Sequence, residues 1–234
     1  MKTLLSIFFV ATIAMTAQAQ AQAQDIRQGT VTLKFAINSF KKDGGSYGSA
    51  VATDVLRIHQ SRYEIDSETV ALGFITLLKR SSRGTVGALG LMPDEFRDER
   101  KTKTPAVARI DRARKVVTLD QGESREEPLL HPLYDQLSFT YSFVVRPPDA
   151  EEYRFYMTDG KRISNYVYRK VGTEMIDSSL GKLETVHLRK IQDAEDERGA
   201  ELWLSPAHHF LPVKAVVTEK DGTRLEQVVT KITY

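Results

Sequence analysis

Apolar and polar residues alternate along much of this chain, with the period of two that is typical of strands buried on one face. The segment Gly29–Phe40 shows the alternation most clearly, and Gly/Asp-rich turns follow at residues 41–46 and 220–223. About a dozen such runs joined by tight turns predict a mainly β fold, which is a strongly curved antiparallel sheet or an open barrel.

Three segments indicate less regular structure. Residues 81–84, with the sequence Ser-Ser-Arg-Gly, predict a turn. Residues 94–100 surround Phe96 with charges and predict a surface turn of helix with a mobile loop. Residues 121–128 are polar and acidic, and they predict a connection into the middle of the chain.

The centre of the chain, residues 131–148, supports two opposite structures. In its second half, apolar residues alternate with Ser and Thr, as in a strand. Residues 138–145 would also lose about 3–4 kcal/mol of helix propensity relative to alanine. Asp135 is nevertheless a suitable helix N-cap, and Pro147 and Pro148 are a suitable stop.

A helix at this position would be apolar on two opposite sides. One side would carry Leu133, Leu137, Tyr141 and Val144, and the other Phe139 and Phe143. Such a helix would have to be buried. Burial at about 1.5–3 kcal/mol per large side chain would exceed the propensity deficit, provided that a sheet wraps the helix.

The first residues predict export. Lys2 precedes an apolar run and a small-residue tract with possible cleavage sites after Ala19, Ala21 or Ala23. We expect residues 1–23 to be a signal peptide, because the apolar run is too short to span a bilayer. Residues 24–234 are then expected to form one β-rich domain that is periplasmic, or else secreted to the medium, and not membrane-spanning.

Composition narrows the possible chemistry. The chain has no cysteine, so it has no disulfide, no thiolate nucleophile and no lipid-attachment cysteine. It has 33 Lys and Arg against 31 Asp and Glu, a balance that argues against nucleic acid as a partner. We therefore expect a soluble envelope protein and not a lipoprotein.

Motifs of enzyme active sites are missing from the sequence, which has no G-x-S-x-G, no H-E-x-x-H and no glycine-rich phosphate loop. The adjacent His208 and His209 would need further ligands, such as His131 or Asp135, to hold a metal ion. We interpret them as loop histidines. The sequence thus predicts no catalytic residue, no metal and no cofactor.

Several short motifs follow one another in a definite order. They are Gly84-x-x-Gly-x-x-Gly-Leu-x-Pro-x-x-Phe96, Asp135-x-Leu-Ser-x-x-Tyr141, Asp159-Gly160, Gly181-Lys-Leu-Glu-Thr-Val-His-Leu188, Trp203-Leu-x-Pro206 and Leu211-Pro-Val213. In this order and spacing, nearly all of residues 24–234 resembles the exported bacterial family called domain of unknown function 3108. The resemblance implies a curved sheet or open barrel with a central helix, similar in outline to periplasmic half-barrel lipoprotein carriers, and it implies no activity. It favours the helical alternative, so we predict a short buried helix near residues 133–145.

Asp135, Ser138 and Tyr141 form a polar set on or beside this predicted helix. Together with Trp203, they are the candidate ligand-binding residues. The alternative role for the first three is capping and buried hydrogen bonding that fix the helix to the sheet.

Three functions remain open, of which we favour the first. It is a non-enzymatic periplasmic protein whose sheet binds an apolar small molecule, a lipid or an envelope protein segment. The second is an envelope hydrolase that acts on glycan or ester with a carboxylate or histidine base. The third is an assembly partner in an envelope complex.

Overall fold

The computed structural model describes residues 28–192 and 198–234, so the predicted signal peptide lies outside the described residues. Strands and one short helix make up most of the described chain. The first eight strands are β1 Gly29–Phe40, β2 Ser46–His59, β3 Arg62–Ala71, β4 Ile75–Gly87, β5 Gly90–Arg100, β6 Ala106–Asp111, β7 Val116–Asp120 and β8 Ser124–Pro128. After them come β9 Leu133–Asp135, helix α1 Gln136–Ser142, β10 Glu152–Thr158, β11 Ile163–Ser178, β12 Gly181–Lys190, β13 Gly199–Ser205, a 3-10 turn at Pro206–His208, β14 Leu211–Thr218 and β15 Arg224–Thr233.

All of these strands belong to one sheet of 15 strands, in the order β8-β7-β6-β5-β4-β3-β2-β1-β15-β14-β13-β12-β11-β10-β9. The chain begins at the centre with β1 and runs outward to the β8 edge. It then passes to the opposite edge at β9 and returns inward until β15 pairs with β1. Neighbours are antiparallel except β9 and β10, which are parallel. The sheet curves without closing, since β8 and β9 are free edges.

The predicted helix is confirmed, although it is shorter than expected. Leu133 belongs to strand β9, and α1 begins after Asp135 and ends at Ser142. The Asp135 side chain accepts hydrogen bonds from the backbone N–H groups of Leu137 and Ser138, both at 2.8 Å. The Ser138 hydroxyl accepts in turn from the backbone N–H of Asp135, which completes a capping box.

Two apolar clusters enclose the helix on opposite sides. Leu137, Tyr141 and Val144 pack in a cluster formed mainly with the inward side chains of β1–β3 and β5–β7, to which β11–β15 also contribute. Phe139 and Phe143 pack in a second cluster formed with β10–β14, in which the Phe139 and Phe155 rings stack at 4.2 Å. Burial on both sides stabilises a helix whose intrinsic propensity is poor.

Two predictions of irregular structure were wrong. Residues 94–100 belong to β5, where their charges pair across neighbouring strands, as between Arg80 and Asp98 at 2.8 Å. Residues 81–84 lie inside β4. Gly84 is needed there for close approach and not for a turn, because a Cβ at Gly84 would lie 2.0 Å from the Met92 carbonyl oxygen.

The polar segment at residues 121–128 also contains more structure than expected. Its second half is the edge strand β8, which pairs with β7. Arg114, in the turn before β7, forms an ion pair with Glu126 of this strand at 2.8 Å. Charged side chains of this kind are common on edge strands, where they discourage pairing with other chains.

Candidate functional site

A buried chain of hydrogen bonds surrounds the start of α1. The Ser82 hydroxyl on β4 donates to Asp135 Oδ2 at 2.6 Å, and it lies 2.8 Å from the Tyr63 hydroxyl on β3. Burial raises the pKa of Asp135 to about 6, although the hydrogen bonds from Ser82, Ser138 and Leu137 oppose the rise. Asp135 therefore connects the helix to the middle of the sheet.

A second buried pair lies about one helical turn further on. The Tyr141 hydroxyl donates to Asp54 Oδ2 at 2.7 Å, while Asp54 Oδ1 has no hydrogen-bond partner among the described residues. Burial raises the pKa of Asp54, against the opposing effects of Ser67 and Tyr141. Burial and the Asp54 charge together raise the pKa of Tyr141 well above its ordinary value.

Asp54 also begins a polar row across four strands. The register places Asp54 opposite Ser67, Ser67 opposite Arg80, and Arg80 opposite Asp98. Burial would raise the pKa of Asp98, but its contacts with Arg100 and Arg80 lower it. The Arg100 Nε lies 2.9 Å from Asp98, and this hydrogen bond raises the pKa of Arg100, as do the charges of Asp159 and Glu219. The row therefore runs from the buried Asp54 to the charged end of β5.

Three of the four predicted ligand-binding residues lie together at α1. Trp203 shares the buried apolar cluster of Leu137 and Tyr141, but its polar and ring contacts are with other residues. The Trp203 ring stacks on His187 at 4.2 Å, its indole N–H donates to Glu174, and Lys214 Nζ lies 4.9 Å from the ring centre. His187 places its two ring nitrogens 3.1 Å from Glu174 and 2.7 Å from Glu201. None of the polar or ring contacts found in the described ranges joins Trp203 to the α1 cluster.

Sequence reasoning missed three members of the α1 cluster, namely Asp54, Tyr63 and Ser82. One signal could have revealed the first of them. Asp54 occupies the same face of β2 as the buried Ala52, Leu56 and Ile58, and a charged residue at a core-facing position must have a buried partner.

An open groove lies at the charged end of the sheet, between β4 and the end of β5. Its volume is about 710 Å³. Five apolar side chains, three basic ones, one carboxylate and one hydroxyl line it: Phe74, Ile75, Leu77, Leu78 and Pro105, with Lys79, Arg100, Lys101, Glu99 and Thr76. None of its lining residues belongs to the set predicted from the sequence.

Across residues 28–192 and 198–234, no group of three or more His, Asp or Glu side chains could hold a metal ion. No helix in the same ranges is long and apolar enough to cross a membrane.

The sequence matches the family described as "Protein of unknown function (DUF3108)" over residues 32–230. This chain belongs to the DUF3108 family. The resemblance drawn from the motif order is thus confirmed, and so is the curved sheet around a short helix. A comparison with curated proteins finds no match.

Several solved structures are similar to this DUF3108 chain at low sequence identity. A β-barrel-like protein of domain of unknown function DUF1849 from Brucella abortus has 10% identity and a TM-score of 0.59, covering 89% of this chain and 98% of its own. A protein described as a lipoprotein from Parabacteroides distasonis has 11% identity and a TM-score of 0.40, covering 88% and 95%. A domain described as an outer membrane lipoprotein-sorting protein from Vibrio parahaemolyticus has 9% identity and a TM-score of 0.30, covering 88% and 87%. At 10% identity, the likeness to the DUF1849 protein shows a shared fold alone.

Proposed function

We propose that this DUF3108 protein is a non-enzymatic protein of the bacterial periplasm that binds an apolar molecule carrying an acidic group. The groove between β4 and β5 is the proposed binding site. The observation that carries the proposal is that exposed apolar and basic residues line the same groove, among them Phe74, which is 79% exposed, and the exposed Lys101. A groove of about 710 Å³ is within the range of small-molecule sites, roughly 300–1,000 Å³.

The interior of the sheet is less suited to a ligand than this groove. Helix α1 and the two apolar clusters fill the concave side, and Asp135, Ser138 and Tyr141 are fully buried. In the proposed function these three residues keep α1 and the neighbouring strands in place. The ligand would instead lay its chain along Phe74, Leu77 and Leu78 and direct its anionic group toward Lys101.

Titration of the exported protein with a fluorescent fatty acid tests the proposal. We expect saturable binding, weakened at least about tenfold by Leu78→Ser or Lys101→Gln, because each removes one half of the amphiphilic contact. Met175→Ser is the matched control, since Met175 is 57% exposed on β11, away from the groove.

Two results would contradict the proposal. One is the absence of fatty-acid binding to the wild-type protein, or equal binding by the groove variants. The other is turnover of ester or glycoside substrates that is abolished by Asp135→Asn or His208→Ala, which would favour an envelope hydrolase.

A further inference from the structure

The turn between β3 and β4 exposes two large apolar side chains. It consists of Leu72, Gly73 and Phe74, and Leu72 and Phe74 are 76% and 79% exposed. These are the highest values among the exposed large hydrophobic residues of the described chain. Half-exposed Val51 and Leu77 continue the apolar surface onto β2 and β4. Contiguous exposed apolar surface marks a contact site more often than an isolated apolar residue does.

The backbone of this turn does not explain why a leucine is present. Leu72 has φ of 53° and Gly73 has φ of 78°, so both residues lie in the left-handed region. Asparagine and glycine occupy that region at lower cost than leucine, because a branched apolar side chain meets steric conflict there. Leu72 favours neither the turn geometry nor the packing of the core. Its exposed side chain is therefore available for a contact with another molecule.

Basic residues flank the turn. The neighbouring loop, residues 101–105, begins Lys-Thr-Lys-Thr, and both lysines are exposed. The backbone N–H of Lys101 donates to the Leu77 carbonyl at 3.5 Å, which joins this loop to the same hairpin. Lys101 and Lys103 take part in none of the ion pairs found in residues 28–192 and 198–234.

Acidic residues near the turn are already paired. Glu68 lies 3.4 Å from Lys79, and Glu99 pairs with Arg97. The β1–β2 turn at the same end of the sheet adds Lys41 and Lys42, with Asp43 between them and the glycines. The charge left for an external partner at this end of β1–β5 is therefore positive.

We propose that the β3–β4 turn is a membrane-contacting element for an anionic lipid surface. Leu72 and Phe74 enter the boundary between headgroups and acyl chains, and Lys101 and Lys103 contact lipid phosphates. An apolar tip flanked by unpaired lysines complements both layers of such a surface. This inference goes beyond the proposed ligand groove, because Leu72 is not among the residues that line the groove.

Co-sedimentation with lipid vesicles tests the inference. The exported, processed protein is mixed with vesicles of phosphatidylglycerol and phosphatidylcholine or of phosphatidylcholine alone. We expect binding to the anionic vesicles that weakens with added salt. Leu72→Asn combined with Phe74→Ser should weaken it at least about tenfold, and Lys101→Gln with Lys103→Gln should weaken it and reduce its salt dependence.

These variants distinguish a loss of membrane contact from a loss of folding stability. Asparagine suits the left-handed backbone at position 72, so Leu72→Asn should unfold at the same temperature as the wild type or at a higher one. The matched control is Val171→Ser with Met175→Ser, which removes two apolar side chains, 52% and 57% exposed, from β11. The control should bind vesicles as the wild type does.

A fluorescent variant reports insertion directly. Trp203 is buried and is the single tryptophan of the chain, so Phe74→Trp adds one exposed indole. Its emission should shift to shorter wavelength with anionic vesicles and stay unchanged with phosphatidylcholine alone.

Two outcomes would overturn the inference. One is that the wild type does not bind anionic vesicles, in particular if Leu72→Asn with Phe74→Ser instead disrupts an association with another protein. The other is that this double variant binds the vesicles as well as the wild type does. Fatty-acid binding in the β4–β5 groove is tested separately from vesicle binding at the turn. Leu72→Asn should still bind the fluorescent fatty acid, and Leu78→Ser should still bind vesicles.

Discussion

At the scale of single residues, buried carboxylates decide how this protein responds to pH. Asp135 receives three hydrogen bonds, which favour its charged form, yet it lies where water cannot reach it. Burial outweighs those hydrogen bonds, and the pKa of Asp135 rises from 3.8 to about 6. The folded state therefore binds a proton at Asp135 more tightly than the unfolded chain does.

This difference predicts a loss of stability as the pH rises. Below about pH 4, Asp135 is protonated in both states, and between pH 4 and 6 only the unfolded state releases its proton. The contribution of Asp135 to the free energy of unfolding should fall by about 3 kcal/mol across that interval. In the variant Asp135→Asn, the asparagine side chain cannot titrate and still accepts the two capping hydrogen bonds.

Urea unfolding of the wild type and of Asp135→Asn, from pH 3.5 to 7, measures this difference. The exposed Asp221 gives a control of opposite sign, because hydrogen bonds from Thr223 lower its pKa. The stabilising effect of Asp221 should be lost as the pH falls. A wild-type minus Asp135→Asn difference that does not change with pH would contradict the prediction.

The Tyr141 hydroxyl and the Asp54 carboxylate should be strongly coupled, because Tyr141 donates to one oxygen of a buried carboxylate whose other oxygen, Oδ1, has no hydrogen-bond partner among the described residues. Tyr141→Phe should lower the free energy of unfolding by about 1–3 kcal/mol. A double-mutant cycle with Asp54→Asn measures the coupling. Effects that add to within about 0.5 kcal/mol would show that the pair does not interact.

At the scale of elements, the β4–β5 hairpin and α1 form a single packed unit. The Ser142 hydroxyl accepts from the Leu91 N–H at 2.9 Å and donates to the Ser138 carbonyl at 2.6 Å. Gly90, beside Leu91, has φ of 103°, and a Cβ there would lie 2.6 Å from Ser142 Cβ. The glycine allows the hairpin to approach the helix.

Two glycine substitutions separate steric conflict from backbone strain. Gly90 and Gly181 both have positive φ, at 103° and 98°, but a Cβ at Gly181 would meet nothing within 4 Å. Gly90→Ala should therefore lose about 1–3 kcal/mol more stability than Gly181→Ala. Thermal or urea unfolding of the two variants gives the comparison, and equal losses would exclude a steric role for Gly90.

At the scale of the whole molecule, the pairing of β1 with β15 joins the outward and returning halves of the chain. Helix α1 packs against both halves through its two apolar sides. Neither half encloses the helix alone, so we expect the described domain to unfold in one cooperative transition.

Two probes test this cooperativity. Fluorescence of Trp203 reports on β13 in the returning half, and far-ultraviolet circular dichroism reports on the strands of both halves. The urea midpoints measured by the two probes should coincide. Phe139→Ala should shift both midpoints to the same lower urea concentration, which corresponds to a loss of about 3–5 kcal/mol in the free energy of unfolding. Separate midpoints would show that the halves unfold independently.

The sequence alone determined the period-two strands, because alternation is a local property that each segment carries by itself. The ordered motifs also identified the family. Local signals were insufficient where long-range contacts decide the structure. The charges of residues 94–100 are typical of a surface loop, but in the structure strands β4 and β6 provide their partners. Gly84 resembles a turn residue in the sequence, but in the structure it allows the close approach of Met92.

The candidate site shows the same limit. Asp135, Ser138 and Tyr141 were predicted from helix spacing, but their partners Ser82 and Asp54 lie 53 and 87 residues away from them in sequence. The groove beside Phe74 depends on the approach of residues 99–105 to β4 and has no local signature. The local pattern left the central stretch open between strand and helix, and the family resemblance favoured the helix. Only the tertiary structure shows why the helix is stable, because that stability comes from burial by both halves of the sheet and not from its own propensity.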